Sequence, residues 1–234
     1  MSPGPQSYQQ VPIVECGEAL VELPVEFARQ TPHPYAVLGA PYGQGTPFAL
    51  RTGVVQKLIA AQNFLQARHP ELRLLIFDAY RPVAVQQFMV DWTFADLVAR
   101  ANQQPEELSV EQKQAFYQQV YQFWARPSLD PATPPPHSTG AAVDLTLLTE
   151  AGTPVAMGGD IDEIAPHSYP DHYAAADLPA ERQFHHLRTL LRSAMTAAGF
   201  SQHPREWWHF SCGDQMWAFH SGQPVAHYGG LVDF

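Results

Sequence analysis

His137-Ser138-Thr139-Gly140-Ala141-Ala142-Val143-Asp144-Leu145-Thr146-Leu147-Leu148 is the stretch whose reading decides the fold class. Residues 141–148 alternate in the manner of a strand, which places Asp144 inside a regular element rather than on a free loop. Gly140 lets the backbone turn tightly, so that His137 and Asp144 can converge. Just upstream, residues 126–136 hold five prolines in eleven positions and favour an extended, polyproline-like path that delivers His137 on a rigid approach.

Working outward, Leu72-Arg-Leu-Leu-Ile-Phe77 is a short, almost wholly apolar run of strand length. It leads into Asp78-Ala-Tyr-Arg81-Pro82, so Arg81 stands at a strand exit. Before it, residues 50–67 carry Val54, Leu58, Ile59, Ala61, Phe64 and Leu65 at helical spacing, stopped by His69-Pro70. Further helices are predicted over 83–101 and over 110–125, the latter with Ser109 as cap and Gln112 three residues on. A fourth, over 181–198, has Phe184, Leu187, Leu190, Leu191 and Met195 in register and Gly199 just past its end. Residues 205–212 read as a final core strand, and the Gly-, Pro- and Asp-rich segment 149–179 as an ordered loop of the kind that often binds ligands. These elements describe an α+β domain, with helices packed on a small, mostly antiparallel sheet. Residues 1–12 read as a loose arm, and 13–234 as one domain with an extension after about residue 212.

Near that extension the chain reads Glu206-Trp207-Trp208-His209. Two imidazoles and one carboxylate, here His137, His209 and Asp144, can hold Zn²⁺ tetrahedrally with the fourth corner open for water, whereas structural zinc sites close all four corners, usually with Cys. One zinc per chain is expected, at the sheet's edge over a narrow pocket. Glu206 precedes His209 by three residues, an offset that would face them apart on a flat strand, so the strand must begin or bulge between them. A free carboxylate there can take a proton from zinc-bound water and return it to a leaving amine. Arg81 can place its guanidinium beside a developing oxyanion, or pair with Asp78. Trp207 and Trp208 can each be core or pocket wall, one of each being the usual result of alternation. Of the eleven histidines, His33, His69, His203, His220 and His227 carry no argument of their own, and the adjacent His185 and His186 read as a partly exposed pair.

Composition narrows the function classes. A net charge of -10, with 13 Lys and Arg against 23 Asp and Glu, argues against nucleic acid as a partner. No apolar run approaches the roughly 18 residues that a membrane span needs, and the opening segment lacks basic and apolar signal regions, so the cytoplasm is the expected location. Cys16 and Cys212 lie outside any CxxC spacing and are expected to be reduced, their pairing with each other remaining open.

Taken together, these motifs resemble the zinc D-alanyl-D-alanine dipeptidases associated with vancomycin resistance, within the larger group of zinc D,D-peptidases. The resemblance spans about residues 35–212: a D-x-Y-R-P turn at Asp78 to Pro82, H-x-x-G-x-A-x-D-L-T-L at His137 to Leu147, and E-W-W-H at Glu206 to His209. It implies the D,D-peptidase, hedgehog-like fold, zinc ligands His137, Asp144 and His209, base Glu206 and transition-state stabiliser Arg81. It also implies that Asp162, in the loop after Met157-Gly158, holds the free α-amine of a small dipeptide substrate. The implied reaction is hydrolysis of D-Ala-D-Ala to two D-alanines; the alternatives are a D,D-carboxypeptidase or endolysin acting on longer peptidoglycan peptides, and a catalytically silent zinc-binding module. One departure stands out: Pro134-Pro-Pro136 occupies positions where the family usually has a serine before the first metal histidine.

Overall fold

The computed structural model describes residues 7–231. In chain order its elements are β1 (Leu20–Glu22), β2 (Ala28–Arg29), α1 (Pro34–Val37), β3 (Ala49–Arg51), α2 (Thr52–Gln66), β4 (Leu72–Asp78), α3 (Val83–Arg100) and α4 (Val110–Val120). They continue with β5 (Ala142–Thr149), α5 (Pro179–Ala197), β6 (Ser201–Gln202), β7 (His209–Ser211) and α6 (Gln215–Ser221). Five strands form one sheet in the order β2-β4-β5-β7-β6, while β1 and β3 make a separate antiparallel pair. Within the five-stranded sheet only β2 and β4 run parallel. The architecture is the α+β arrangement that the alternation of apolar runs implies. Among the described residues, no helix is long and apolar enough to cross a membrane.

Period-two alternation divides the sheet chemically. On β5, Val143, Leu145 and Leu147 enter the main core, where they meet Leu58, Ala61 and Leu65 of α2 and Leu191, Ala194 and Met195 of α5. Phe210 of β7 joins the same core. Asp144 and His209, each flanked by these core residues, must therefore project from the opposite face. They are also direct cross-strand partners in the β5–β7 register, which brings their side chains within reach of each other. A second apolar cluster, built from Tyr35, Val85, Met89, Val90, Val98, Val120 and Trp124, ties α1, α3 and α4 together beside the sheet.

Several expectations are corrected. α4 keeps its predicted capping box at Ser109 and Gln112 but ends at Val120, leaving residues 121–124 in a turn and bend. The last core strand is confined to His209–Ser211, because the Trp207 amide turns away to donate to the Ser168 carbonyl at 3.0 Å. The strand thus begins at His209, which resolves the odd offset of Glu206. Metal-ligand candidates lie at one end of the central strands β5 and β7, not on an edge strand; the edges are β2 and β6. Of the expected loose arm, residues 1–6 lie outside the described residues. Ser7–Gln10 forms a 3-10 turn with Tyr8 buried, so this part of the arm is ordered. The Gln215 side-chain amide, within reach of the carbonyls of Gln9 (3.1 Å), Val11 (2.7 Å) and Ala132 (3.0 Å), ties that turn to α6 and to the proline-rich segment. The extension past residue 212 is part of the fold as well: Val14 and Cys16 donate backbone hydrogen bonds to Ala226 and His227, and Tyr228 is buried in the main core. Both cysteines are free, Cys16 exposed and Cys212 buried.

Gly140 closes the 3-10 turn Pro136–Thr139 with φ of 70°, and a β-carbon there would stand 2.7 Å from Leu20 Cδ1. Gly140→Ala is expected to destabilise the protein by about 1–2 kcal/mol from the left-handed backbone alone, as read by denaturant unfolding; an unchanged midpoint would contradict this.

Candidate active site

Four chain segments converge on the polar end of the central strands. Asp144 comes from β5, His209 from β7, His137 from the 3-10 turn that enters β5, and Arg81 from the exit of β4. All four are buried. The His137 Nε2 and Asp144 Oδ2 atoms are 3.2 Å apart, His209 Nδ1 and Asp144 Oδ1 are 3.0 Å apart, and the two imidazole nitrogens are 3.2 Å apart.

The outer contacts of each ring fix what the inner atoms can do. His137 Nδ1 lies 2.7 Å from the Ala79 carbonyl, an acceptor only, so Nδ1 carries the proton and Nε2 turns a lone pair inward. Ser211 Oγ donates to Asp214 Oδ2 at 2.9 Å and so accepts from His209 Nε2 at 3.3 Å, which leaves a lone pair on His209 Nδ1. Two imidazole lone pairs and a carboxylate thus face one another, an arrangement that repels itself unless a cation stands between them. Their ligand atoms lie within 4.8 Å of one another, and among the described residues this is the only His, Cys, Asp and Glu group so arranged. The donor set and its outer hydrogen bonds fit a divalent zinc-type ion with an open position.

Charge is distributed around this centre by burial and by pairing. Burial pushes the Asp144 carboxyl up, but the adjacent His137 and His209 more than reverse this and hold it far below its ordinary value. Burial lowers the His137 imidazole, and Asp144 reverses the sign and raises it; for His209, burial prevails and the group stays low. Glu206 is buried with Oε2 3.7 Å from His209 Nδ1, and burial, followed by the charges of Asp144 and Asp162, raises its carboxyl well above the usual range. A group so poised can hold a proton as well as give one up.

Of the two arrangements that the sequence left open for Arg81, the structure shows the pairing with Asp78. Its guanidinium pairs with Asp78 at 2.7 Å and also reaches Asp144 Oδ2 at 3.4 Å, while Nη1 donates to Gln86 Oε1 at 2.9 Å and Nη2 to the Tyr35 hydroxyl at 3.2 Å. Asp78 is held in turn by His33 at 3.1 Å and Tyr42 at 3.2 Å. The desolvated cation is therefore fully engaged and cannot swing, which a buried charge requires. Of the acids in the neighbouring loop, Asp160 and Glu163 are exposed, whereas the Asp162 carboxylate turns inward and accepts from Tyr35 at 2.6 Å. Burial, and then the charge of Asp144, pushes Asp162 up to about 7. Its backbone has φ of 66°, a conformation that costs a non-glycine residue about 1–3 kcal/mol.

These groups line a narrow cavity of about 60 Å³, closed by Tyr8, by Tyr121 to Ala125, by Trp208 and by Met216. The model of the D-ala-D-ala dipeptidase family matches residues 28–226. The chain belongs to this family of peptidases. It is 48% identical to the D-alanyl-D-alanine dipeptidase of Synechocystis sp. over 95% of both chains. A dipeptidase of the same name from Streptomyces coelicolor is 34% identical over 66% of this chain and 70% of its own. Among solved structures, VanYB in complex with D-Alanine-D-Alanine aligns at a TM-score of 0.43 and 14% identity, covering 74% of this chain and 78% of that one. The LdcB LD-carboxypeptidase aligns at 0.46 and 14% identity over 91% of this chain and 76% of its own.

Several residues of this peptidase's cavity escaped the sequence reading. Tyr8, Tyr35, Gln86, Trp124 and His203 bear on it; of these, Gln86 and His203 lie within five residues of Arg81 and Glu206, but no helical or strand spacing pointed to them. Trp208 lines the cavity, while Trp207 turns the other way and stacks against Arg188. Arg188, fully buried on α5, donates to the carbonyls of Met157 (2.8 Å), His167 (2.8 Å) and Tyr169 (3.1 Å), and so clamps the loop that carries Asp162. Arg188→Met would leave these carbonyls unpaired. It is expected to cost at least ~2 kcal/mol of stability and to speed amide hydrogen exchange across residues 157–169; protection equal to wild type would refute the clamp.

Proposed function

We propose that the protein hydrolyses the dipeptide D-Ala-D-Ala to two D-alanines, with one zinc ion per chain held by His137, Asp144 and His209. The observation that carries this reading is the cluster of three inward-facing lone-pair groups with Glu206 beside it, close to His209 but outside the ligand set. Zinc bound there supplies Lewis acidity and lowers the pKa of the attacking water. The work of the chain's own residues follows from their positions. Glu206 takes up a proton at Oε2 as the water attacks and delivers it to the nitrogen of the departing D-alanine. Arg81, locked by Asp78, Gln86 and Tyr35, keeps a fixed positive charge beside Asp144, where the carbonyl oxygen gains negative charge.

At the amine end, Asp162 receives the substrate ammonium, and Tyr35, whose hydroxyl keeps its proton because burial and Asp162 raise its pKa, holds the Asp162 carboxylate in place. The narrow cavity supports a substrate of dipeptide size. Its buried walls shield the reacting bond from part of the bulk water, which strengthens each of these charge interactions.

D-Alanine release from D-Ala-D-Ala by the zinc-loaded protein tests this reading beside Glu206→Ala. Turnover is expected in the wild type and a loss of at least ~100-fold in the variant with zinc content unchanged; equal rates would remove the base assignment. Release of D-alanine only from longer D,D-peptides would shift the reading to a carboxypeptidase. For the amine contact, Asp162→Asn is expected to depress hydrolysis of the free dipeptide by at least ~10-fold while N-acetylated substrate is little affected, and parallel losses on both would move that role elsewhere.

A further inference from the structure

The order of strands sets the order of groups across the cavity. On the side of β4 and β2 stand Arg81, Tyr35 and Asp162; Asp144 and His137 follow in the middle, then His209 and Glu206 on β7 and its approach; beyond them, just past β6, comes His203. A dipeptide has an ammonium at one end and a carboxylate at the other. With its amine at Asp162, its carboxylate falls on the His203 side, and that anion needs donors. Arg81, on the Asp162 side, already has each guanidinium nitrogen in contact with Asp78, Gln86, Tyr35 or Asp144, so further donors are needed at the far end.

We propose that His203 and Tyr8 form the pocket for the substrate's C-terminal carboxylate. His203 Nδ1 accepts from the Arg205 backbone amide at 3.3 Å and stands 3.6 Å from Glu206 Oε1, beyond hydrogen-bond distance; the amide contact places the ring proton on Nε2, which has no hydrogen-bond partner among the described residues. Its backbone amide donates to the His209 carbonyl at 2.9 Å, which seats the ring directly beside the ligand strand. Tyr8 reaches the same cavity from the 3-10 turn that Gln215 secures against α6, and its hydroxyl likewise has no partner among the described residues. Two neutral donors, an imidazole N–H and a phenol O–H, thus line the cavity near Glu206, the phenol also lying near Asp214. Neutral donors suit this end, because Glu206 and Asp144 lie close by and a further fixed charge would disturb the proton that Glu206 must move.

This assignment rests on the dipeptidase reading, and the experiment separates the two. Zinc-loaded wild type, Tyr8→Phe, His203→Phe and His203→Asn are compared on D-Ala-D-Ala and on the same dipeptide with a C-terminal carboxamide, with thermal unfolding run on each protein. Wild type is expected to favour the free acid. Tyr8→Phe and His203→Phe are expected to raise KM for the free acid by about 10- to 100-fold, to alter the carboxamide little, and so to erase the preference. His203→Asn, which keeps a side-chain N–H, is expected to recover part of it, and it serves as the histidine test if the Phe variant does not fold. Equal losses on both substrates, or an unchanged preference for the acid, would overturn the carboxylate pocket while leaving the dipeptidase standing. No hydrolysis of either substrate by wild type would overturn both.

Discussion

Asp78, Asp144 and His209 stand side by side at one end of three neighbouring strands, and the site depends on making that crowding tolerable. Asp78 and Asp144 are partners across the β4–β5 register, where two buried carboxylates would repel. Arg81 lies between them and pairs with both. A buried cation of this kind is stable only when its remaining donors are satisfied, and Gln86 and Tyr35 take them up. On the other side of Asp144 the inward lone pairs of His137 and His209 leave a gap suited to a second, external cation. One positive charge that compensates Asp144 is thus built into the chain, and the imidazole pair leaves room for another. This division explains why the guanidinium is so tightly bound while the imidazoles are left facing each other.

The cavity walls come from segments with little regular structure, and buried polar side chains substitute for a ladder in holding them. Arg188 grips three carbonyls of the loop that presents Asp162, and Gln215 grips the turn that presents Tyr8. Each grip is made by a side chain on a helix that packs on the sheet, so the loops inherit the rigidity of the core. Such anchoring lets the strained backbone at Asp162 persist, since neighbouring hydrogen bonds over-determine it.

Much of the scaffold was legible from the chain alone. The apolar run at 72–77 and the alternation at 141–148 became β4 and β5, and the helical spacings became α2, α3 and α5 to within two residues at each end, because burial of one face leaves a local periodic trace. His137, Asp144, Glu206, His209 and Arg81 could be picked out as candidates from short motifs, and the structure brings all five to one cavity. The early end of α4 and the truncation of the last strand were not legible, since both follow from competing hydrogen bonds with partners far along the chain, such as Trp207 with Ser168. Nor could sequence place Tyr8, Tyr35 and His203 at the cavity or show that residues 7–12 are anchored. Sequence by itself determined which residues alternate into the core and which chemical groups are available. Tertiary structure alone decided which of those groups meet, because the β5–β7 register, the Arg188 clamp and the docking of the N-terminal turn are contacts between segments separated by tens to hundreds of residues, which no local pattern encodes.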